Sequence, residues 1–305
     1  MFGTTLRCLA LALLVAAPIR SAPRPRKVIG VSLLTLQHQF FRDLRTGLEE
    51  KAVEYDWDVV VVAGEFDASR QARQVDDFLA RHVDAIVVAP CDSVEIGAPI
   101  ERANKAGVPV FTTDIASTSR LGKVVAHVAS DNYAGGRRAG ALMVKALGGR
   151  GDVVLVTHPG VTSVIDRVRG FKDVVANARG IRILAEVPAW GQRARAAEVV
   201  EDLVARLPEV RGVFAINDDS ALGALAAVTA AGKAGKVVII GYDATPEARE
   251  AIGRGHLYGD VVQYPYKIGA LTIQAVRDHF AGRRVPAFIP VETGVYTVED
   301  ARKGK

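Results

Sequence analysis

The stretch GVFAINDDSALGALAAVTAAGK, residues 212–233, decides the fold. It opens on an apolar run with no polar residue alternating through it, turns at Asn217, Asp218 and Asp219, and continues with apolar positions at three- and four-residue intervals. A strand that is apolar on both faces must be covered on both, which is the condition of a parallel sheet flanked by helices. The segment behind it carries the helical period of an amphipathic crossover.

The same rhythm runs outward in both directions. Strand-like runs fall at 28–34, 57–63, 84–90, 108–113, 123–128, 152–157, 181–187, 236–242 and 258–263, each separated from the next by a turn and usually a helix-length segment. Strands alternating with right-handed helical crossovers build open, doubly wound sheets, so an α/β class is expected. A chain of 305 residues suits two such lobes. Its 49% apolar content, without low-complexity tracts, excludes a disordered chain.

The first residues break the rhythm. Arg7 precedes an apolar run from Cys8 to Ile19, followed by small residues and prolines, which is the layout of a secretory signal peptide, read here as 1–22. The run is shorter than the roughly 20 apolar residues that a permanent spanning helix needs. Export to the periplasm or another extracytoplasmic space is the expected localisation. Removal of this segment leaves Cys91 alone, so no internal disulfide is expected. Net charge is +5, but five basic residues lie in 1–27 and three in 302–305. No clustered basic face remains for nucleic acid.

In open α/β sheets, ligands bind beyond the carboxyl ends of the strands. The residues there are unusually polar or aromatic: His38, Phe40 and Phe41 in TLQHQFF (35–41), then Asp114, Asn217, Asp243 and Gln263. Any one Asp or Asn at such a position serves equally well as a helix cap. Two adjacent phenylalanines at a strand-to-helix turn, in a chain with 6% aromatics, call for a further reason. The six histidines show no zinc spacing, no phosphate-binding glycine motif follows a strand, and GGRRAG (135–140) reads as close helix packing. Neither metal nor cofactor is expected. Asp114 and Asp243 are the one candidate acid pair for hydrolysis, and no nucleophile elbow supports an enzyme. Carbohydrate binding uses the whole set: rings against the C–H faces of a sugar, carboxylates and amides around its hydroxyl rim. Phe40 and Phe41 supply one wall, and Trp190, after the seventh run, is expected to supply the opposite one.

KVIGVSLLTLQHQFFRDLRTGLEEKA, VASDNYAGGRRAG, DRVRGF, FAINDDSALGAL, IIGYDATPEAREAI and VVQYPYKIGA, in this order through nearly the whole mature chain, resemble the ribose-type periplasmic binding proteins that deliver sugars to ABC transporters. The resemblance implies two similar lobes, 27–130 with 264–292 and 131–263 with 293–305, joined by three crossovers with the ligand between them. It implies contacts from His38, Phe40, Phe41 and Asp114 on one lobe, from Arg167, Trp190, Asn217 and Asp243 on the other, and from Gln263 at the hinge. It also implies a monomeric, non-enzymatic protein whose partners are a sugar or polyol and a membrane permease, with a chemoreceptor as a further partner. Repressors of the same fold carry an amino-terminal DNA-reading helix-turn-helix, where this chain has its signal-like segment. Three positions depart from the ribose binders: Leu34, His38 and Ile115, the last standing where they have an arginine. Loss of a five-donor guanidinium points away from ribose, toward another monosaccharide, a deoxy sugar or a polyol.

Overall fold

A computed structural model describes residues 26–304; the expected signal peptide lies outside them. The described strands are β1 (Val28–Leu33), β2 (Asp58–Ala63), β3 (Ala85–Val88), β4 (Val110–Thr113), β5 (Val124–Ser130), β6 (Arg150–Thr157), β7 (Gly180–Pro188), β8 (Val210–Ala215), β9 (Val238–Asp243), β10 (Gly259–Val262), β11 (Phe288–Val291) and β12 (Gly294–Thr297). The helices are α1 (Gln39–Val53), α2 (Ala68–Ala80), α3 (Gly97–Lys105), α4 (Asn132–Ala146), α5 (Thr162–Val175), α6 (Arg193–Arg206), α7 (Asp218–Ala230), α8 (Pro246–Gly253), α9 (Pro265–Phe280) and α10 (Val298–Arg302).

They form two six-stranded sheets, ordered β11-β5-β4-β3-β1-β2 and β12-β10-β9-β8-β6-β7. Every pairing is parallel except β10 with β12. This is the expected α/β architecture, and all ten apolar runs are strands. The two sheets repeat one order, with β1, β3 and β4 of the first matched by β6, β8 and β9 of the second. The chain passes between sheets after β5, after β10, and between β11 and β12.

The sequence did not announce β11 and β12. Each is a four-residue strand at the edge of its sheet, with Phe288 and Val295 exposed and Pro290 inside β11. Edge strands lack the two covered faces that make the inner runs legible, and an edge tolerates proline because one row of its backbone groups goes unpaired.

Helix contacts that position the site depend on glycine. A Cβ on Gly136 of α4 would lie 2.0 Å from the Arg167 carbonyl of α5, and one on Gly170 would lie 2.2 Å from the Tyr133 carbonyl. The glycines of GGRRAG are therefore packing residues, and they set the distance of the helix that carries Arg167. On the first lobe Gly47 of α1 makes the matching approach to α9, its Cβ position 2.1 Å from the Tyr266 carbonyl. Behind α4 and α5, Phe171 stacks on Phe214 at 4.5 Å with both rings fully buried, each contributing about 1.5–3 kcal/mol through burial. No helix among the described residues is long and apolar enough to cross a membrane.

Candidate functional site

The carboxyl ends of strands from both sheets meet around one hollow. From the first sheet come Leu34, His38, Phe40 and Phe41 of the β1–α1 turn, with Asp114 and Ile115 after β4. From the second come His158, Val161, Ser163, Val164 and Arg167 around the start of α5, Gly191 after β7, Ile216 and Asn217 after β8, and Asp243 at the end of β9. Gln263 joins them from the end of β10, where the chain returns to the first sheet.

Eight of the nine residues singled out from sequence thus face one space. Phe40 and Phe41 sit edge to face at 5.1 Å, both almost fully buried, and they belong to the first lobe's core as well as to the hollow's lining. Asn217 is both cap and lining: its Oδ1 accepts from the Ser220 N–H at 3.0 Å, and its Nδ2 donates to the Gly191 carbonyl at 3.1 Å. Capping α7 does not prevent the same side chain from lining the hollow.

Trp190 is the exception. The residue is 38% exposed, the Arg195 guanidinium lies 5.5 Å from its ring, and it does not line the hollow. Trp190 takes a φ of 52° and Gly191 one of 69°, so the chain turns sharply here and presents Gly191 inward. The second aromatic wall is absent from the lining, and that lobe offers Val161, Val164 and Ile216 instead.

Arg167 is held from three sides. Its Nε donates to Asn132 Oδ1 at 2.8 Å, its Nη1 donates to the Ile216 carbonyl at 2.7 Å, and its guanidinium lies 3.9 Å from the Tyr242 ring centre. A planar fork fixed in this way spends little entropy when it meets hydroxyls. Asp114 and Asp243, from equivalent strand ends of the two sheets, both have left-handed backbones, with φ of 59° and 120°. Such conformations cost a non-glycine residue of order 1–3 kcal/mol and persist where the surroundings enforce them. Gln263 donates from Nε2 to Asp243 Oδ1 at 2.7 Å, which ties the hinge to the site.

Burial dominates the electrostatics. It pushes Asp114 up to about 6, against the pull of Arg167. It also pushes Asp243 well above the carboxylate range, with Asp218 adding to the rise and Arg167 opposing it. Burial lowers His38, with Asp219 partly compensating, and brings His158 down to about 4, so both imidazoles are neutral near pH 7. Cys91 is buried and pushed up to about 12, an inert thiol. Among the described residues no cluster of three or more His, Cys, Asp or Glu could hold a metal ion.

Sequence reasoning missed His158, Val161, Ser163 and Val164. The signal was available: they follow β6, one of the ten runs, and the strand-end rule applied there would have found them. Loops of the two sheets also touch each other directly. The Thr162 N–H donates to Ser93 Oγ at 3.1 Å, and the Ala116 N–H to Thr162 Oγ1 at 2.9 Å. The lobes are therefore shut upon the hollow.

Residues 29–284 match the family described as the periplasmic binding protein domain. The ribose import binding protein of Haemophilus influenzae is 33% identical over 291 residues, covering 95% of this chain and 98% of its own. Among solved structures, an ABC-transporter periplasmic solute-binding protein of Actinobacillus succinogenes with bound D-allose is 29% identical. It has a TM-score of 0.85 and covers 91% of this chain and all of its own. A Caulobacter myo-inositol-binding protein with bound myo-inositol is 28% identical, with a TM-score of 0.85 and coverage of 92% and 97%.

Proposed function

Because the chain belongs to the periplasmic binding protein family, we propose that it captures a monosaccharide or polyol between its lobes and delivers it to an ABC-type permease. One observation carries the reading: the buried hollow has phenylalanine rings on one side and, on the other, Arg167, Asn217, Asp243 and Gln263, groups suited to a hydroxyl rim. Eight residues take the ligand-contact role: His38, Phe40, Phe41, Asp114, Arg167, Asn217, Asp243 and Gln263.

The lobes, 27–130 with 264–292 and 131–263 with 293–305, hinge at the three crossings. Ligand contacts from both sides exist together only when the cleft is shut, so binding favours the shut form, and the shut form is what the permease reads. The protein works outside the cytoplasm as a monomer, and a chemoreceptor is a second reader of the same closed state. It performs no chemistry on its ligand.

Thermal melting across a panel of sugars and polyols tests capture, since a selective ligand raises the midpoint by mass action. Mass spectrometry after prolonged incubation should return the bound compound unchanged. A converted product would make the protein an enzyme.

A further inference from the structure

The lining of the hollow is lopsided. Of the six residues from the first lobe, Leu34, Phe40, Phe41 and Ile115 are hydrocarbon, leaving only Asp114 and His38 to meet polar groups. Leu34 and Ile115 are 4% and 2% exposed. The Ile115 N–H and the Leu34 carbonyl do not relieve this, because the first already donates to the Thr113 carbonyl at 2.6 Å and the second already accepts from the Phe66 N–H at 3.2 Å. A ligand hydroxyl turned toward Leu34 or Ile115 would exchange water for a surface that can neither donate nor accept.

Elsewhere the imbalance is reversed. Asp114 Oδ1 and Gln263 Oε1 are fully buried and accept no hydrogen bond from any described residue. Gln263 already spends an amide hydrogen on Asp243. Buried acceptors of this kind want donors, and hydroxyls supply them.

We infer that the ligand presents two unlike edges: vicinal hydroxyls to Asp114, Asp243 and Gln263, and a methyl or methylene in place of a hydroxyl to Leu34 and Ile115. This deepens the solute-capture reading and rests on it, narrowing the ligand class to deoxy sugars. Leu34 and Ile115 are the residues that set the preference.

The test is calorimetric titration of the whole exported chain with matched pairs: L-fucose against L-galactose, L-rhamnose against L-mannose, and 2-deoxy-D-ribose against D-ribose. In at least one pair the deoxy member is expected to bind about 10–100-fold tighter, the range in which an apolar pocket rejects an added hydroxyl. Ile115→Thr, which puts a hydroxyl in place of hydrocarbon, is expected to narrow that ratio at least fivefold; should the variant fail to fold, the ratio in the parent protein decides. The inference is overturned if the hydroxylated member matches or beats its deoxy partner in every pair that binds, or if myo-inositol or xylitol binds more tightly than every deoxy sugar. Either outcome leaves solute capture standing. Silence from every sugar and polyol overturns both.

Discussion

The backbone N–H of Ser93, beyond the end of β3, donates to the carbonyl of Gly160, beyond β6, at 2.9 Å, a main-chain bond from one lobe to the other. Thr162 extends the join: its N–H meets Ser93 Oγ at 3.1 Å, and its Oγ1 accepts the Ala116 N–H at 2.9 Å. Any separation of the lobes would break these bonds, so they are expected to bear on a closure equilibrium without touching the hollow.

Thr162→Val should therefore weaken every ligand alike. One or two hydrogen bonds at about 0.5–1.5 kcal/mol each amount to about 0.5–3 kcal/mol, roughly a two- to 160-fold loss of affinity. The order of preference among sugars should not change, because Thr162 does not line the hollow. Titration of the variant with the same panel checks this, and a reordered panel would show that Thr162 acts on the ligand itself.

Asp114→Asn should make the ligand-free protein more stable at neutral pH while abolishing binding. In the folded protein Asp114 keeps its proton up to about pH 6, against an ordinary value of 3.8. The folded form thus binds the extra proton between these values. The stability this contributes is fully present below 3.8 and is lost as pH rises through about 6. Asparagine never ionises, so the variant is expected to gain up to about 3 kcal/mol at pH near 7.5, a gain that vanishes below about pH 4. Denaturation of both proteins across that range measures the difference, in which the shift of His158 cancels. A constant offset at all pH values would assign the effect to packing.

Trp190→Ala is expected to leave affinity within about threefold of the parent. Its ring stands outside the hollow with Arg195 beside it, and cation–π contacts at exposed sites are worth only about 0.5–1 kcal/mol. Loss of binding with an unchanged melting point would bring the ring back to the ligand.

What the sequence made legible was whatever burial dictates without reference to detail. A stretch such as Val213–Ala215 of β8, covered on both faces, has to be apolar, so the inner strands and their order of appearance could be read directly. Their ends could be read too, since the fold places every carboxyl end on one side, and Asp114, Asn217 and Asp243 followed from that alone. Trp190 shows where the reasoning stops. Its rarity and its position after β7 suggested a wall, but which way a side chain points depends on the two positive φ angles at Trp190 and Gly191, and no residue pattern at non-glycine positions announces one. The reach of Ser93 to Gly160 was equally hidden, since a hydrogen bond between lobes leaves no periodicity in either.

Gly136→Ala should uncouple folding from binding least cleanly of all, because one contact serves both. The added Cβ would lie 2.0 Å from the Arg167 carbonyl oxygen and 2.7 Å from its carbon, and main-chain atoms cannot swing aside. Helix α5 must move away from α4. Overpacking of this kind costs about 1–3 kcal/mol of stability. Asn132 stands one turn before Gly136 on α4 and accepts the Arg167 Nε at 2.8 Å, so the same displacement strains the bond that aims the guanidinium. It also draws Arg167 off the Ile216 carbonyl and the Tyr242 ring. Affinity should fall tenfold or more at a temperature where the variant is fully folded by circular dichroism. Gly140→Ala provides the comparison, since its Cβ would meet Val174 at 2.9 Å and the Phe171 carbonyl at 3.0 Å, a turn farther along the same interface and away from Arg167. It should cost stability with little loss of affinity. Equal losses of affinity in the two variants would mean that the α4–α5 contact does not aim Arg167, and that Asn132, Ile216 and Tyr242 hold it unaided.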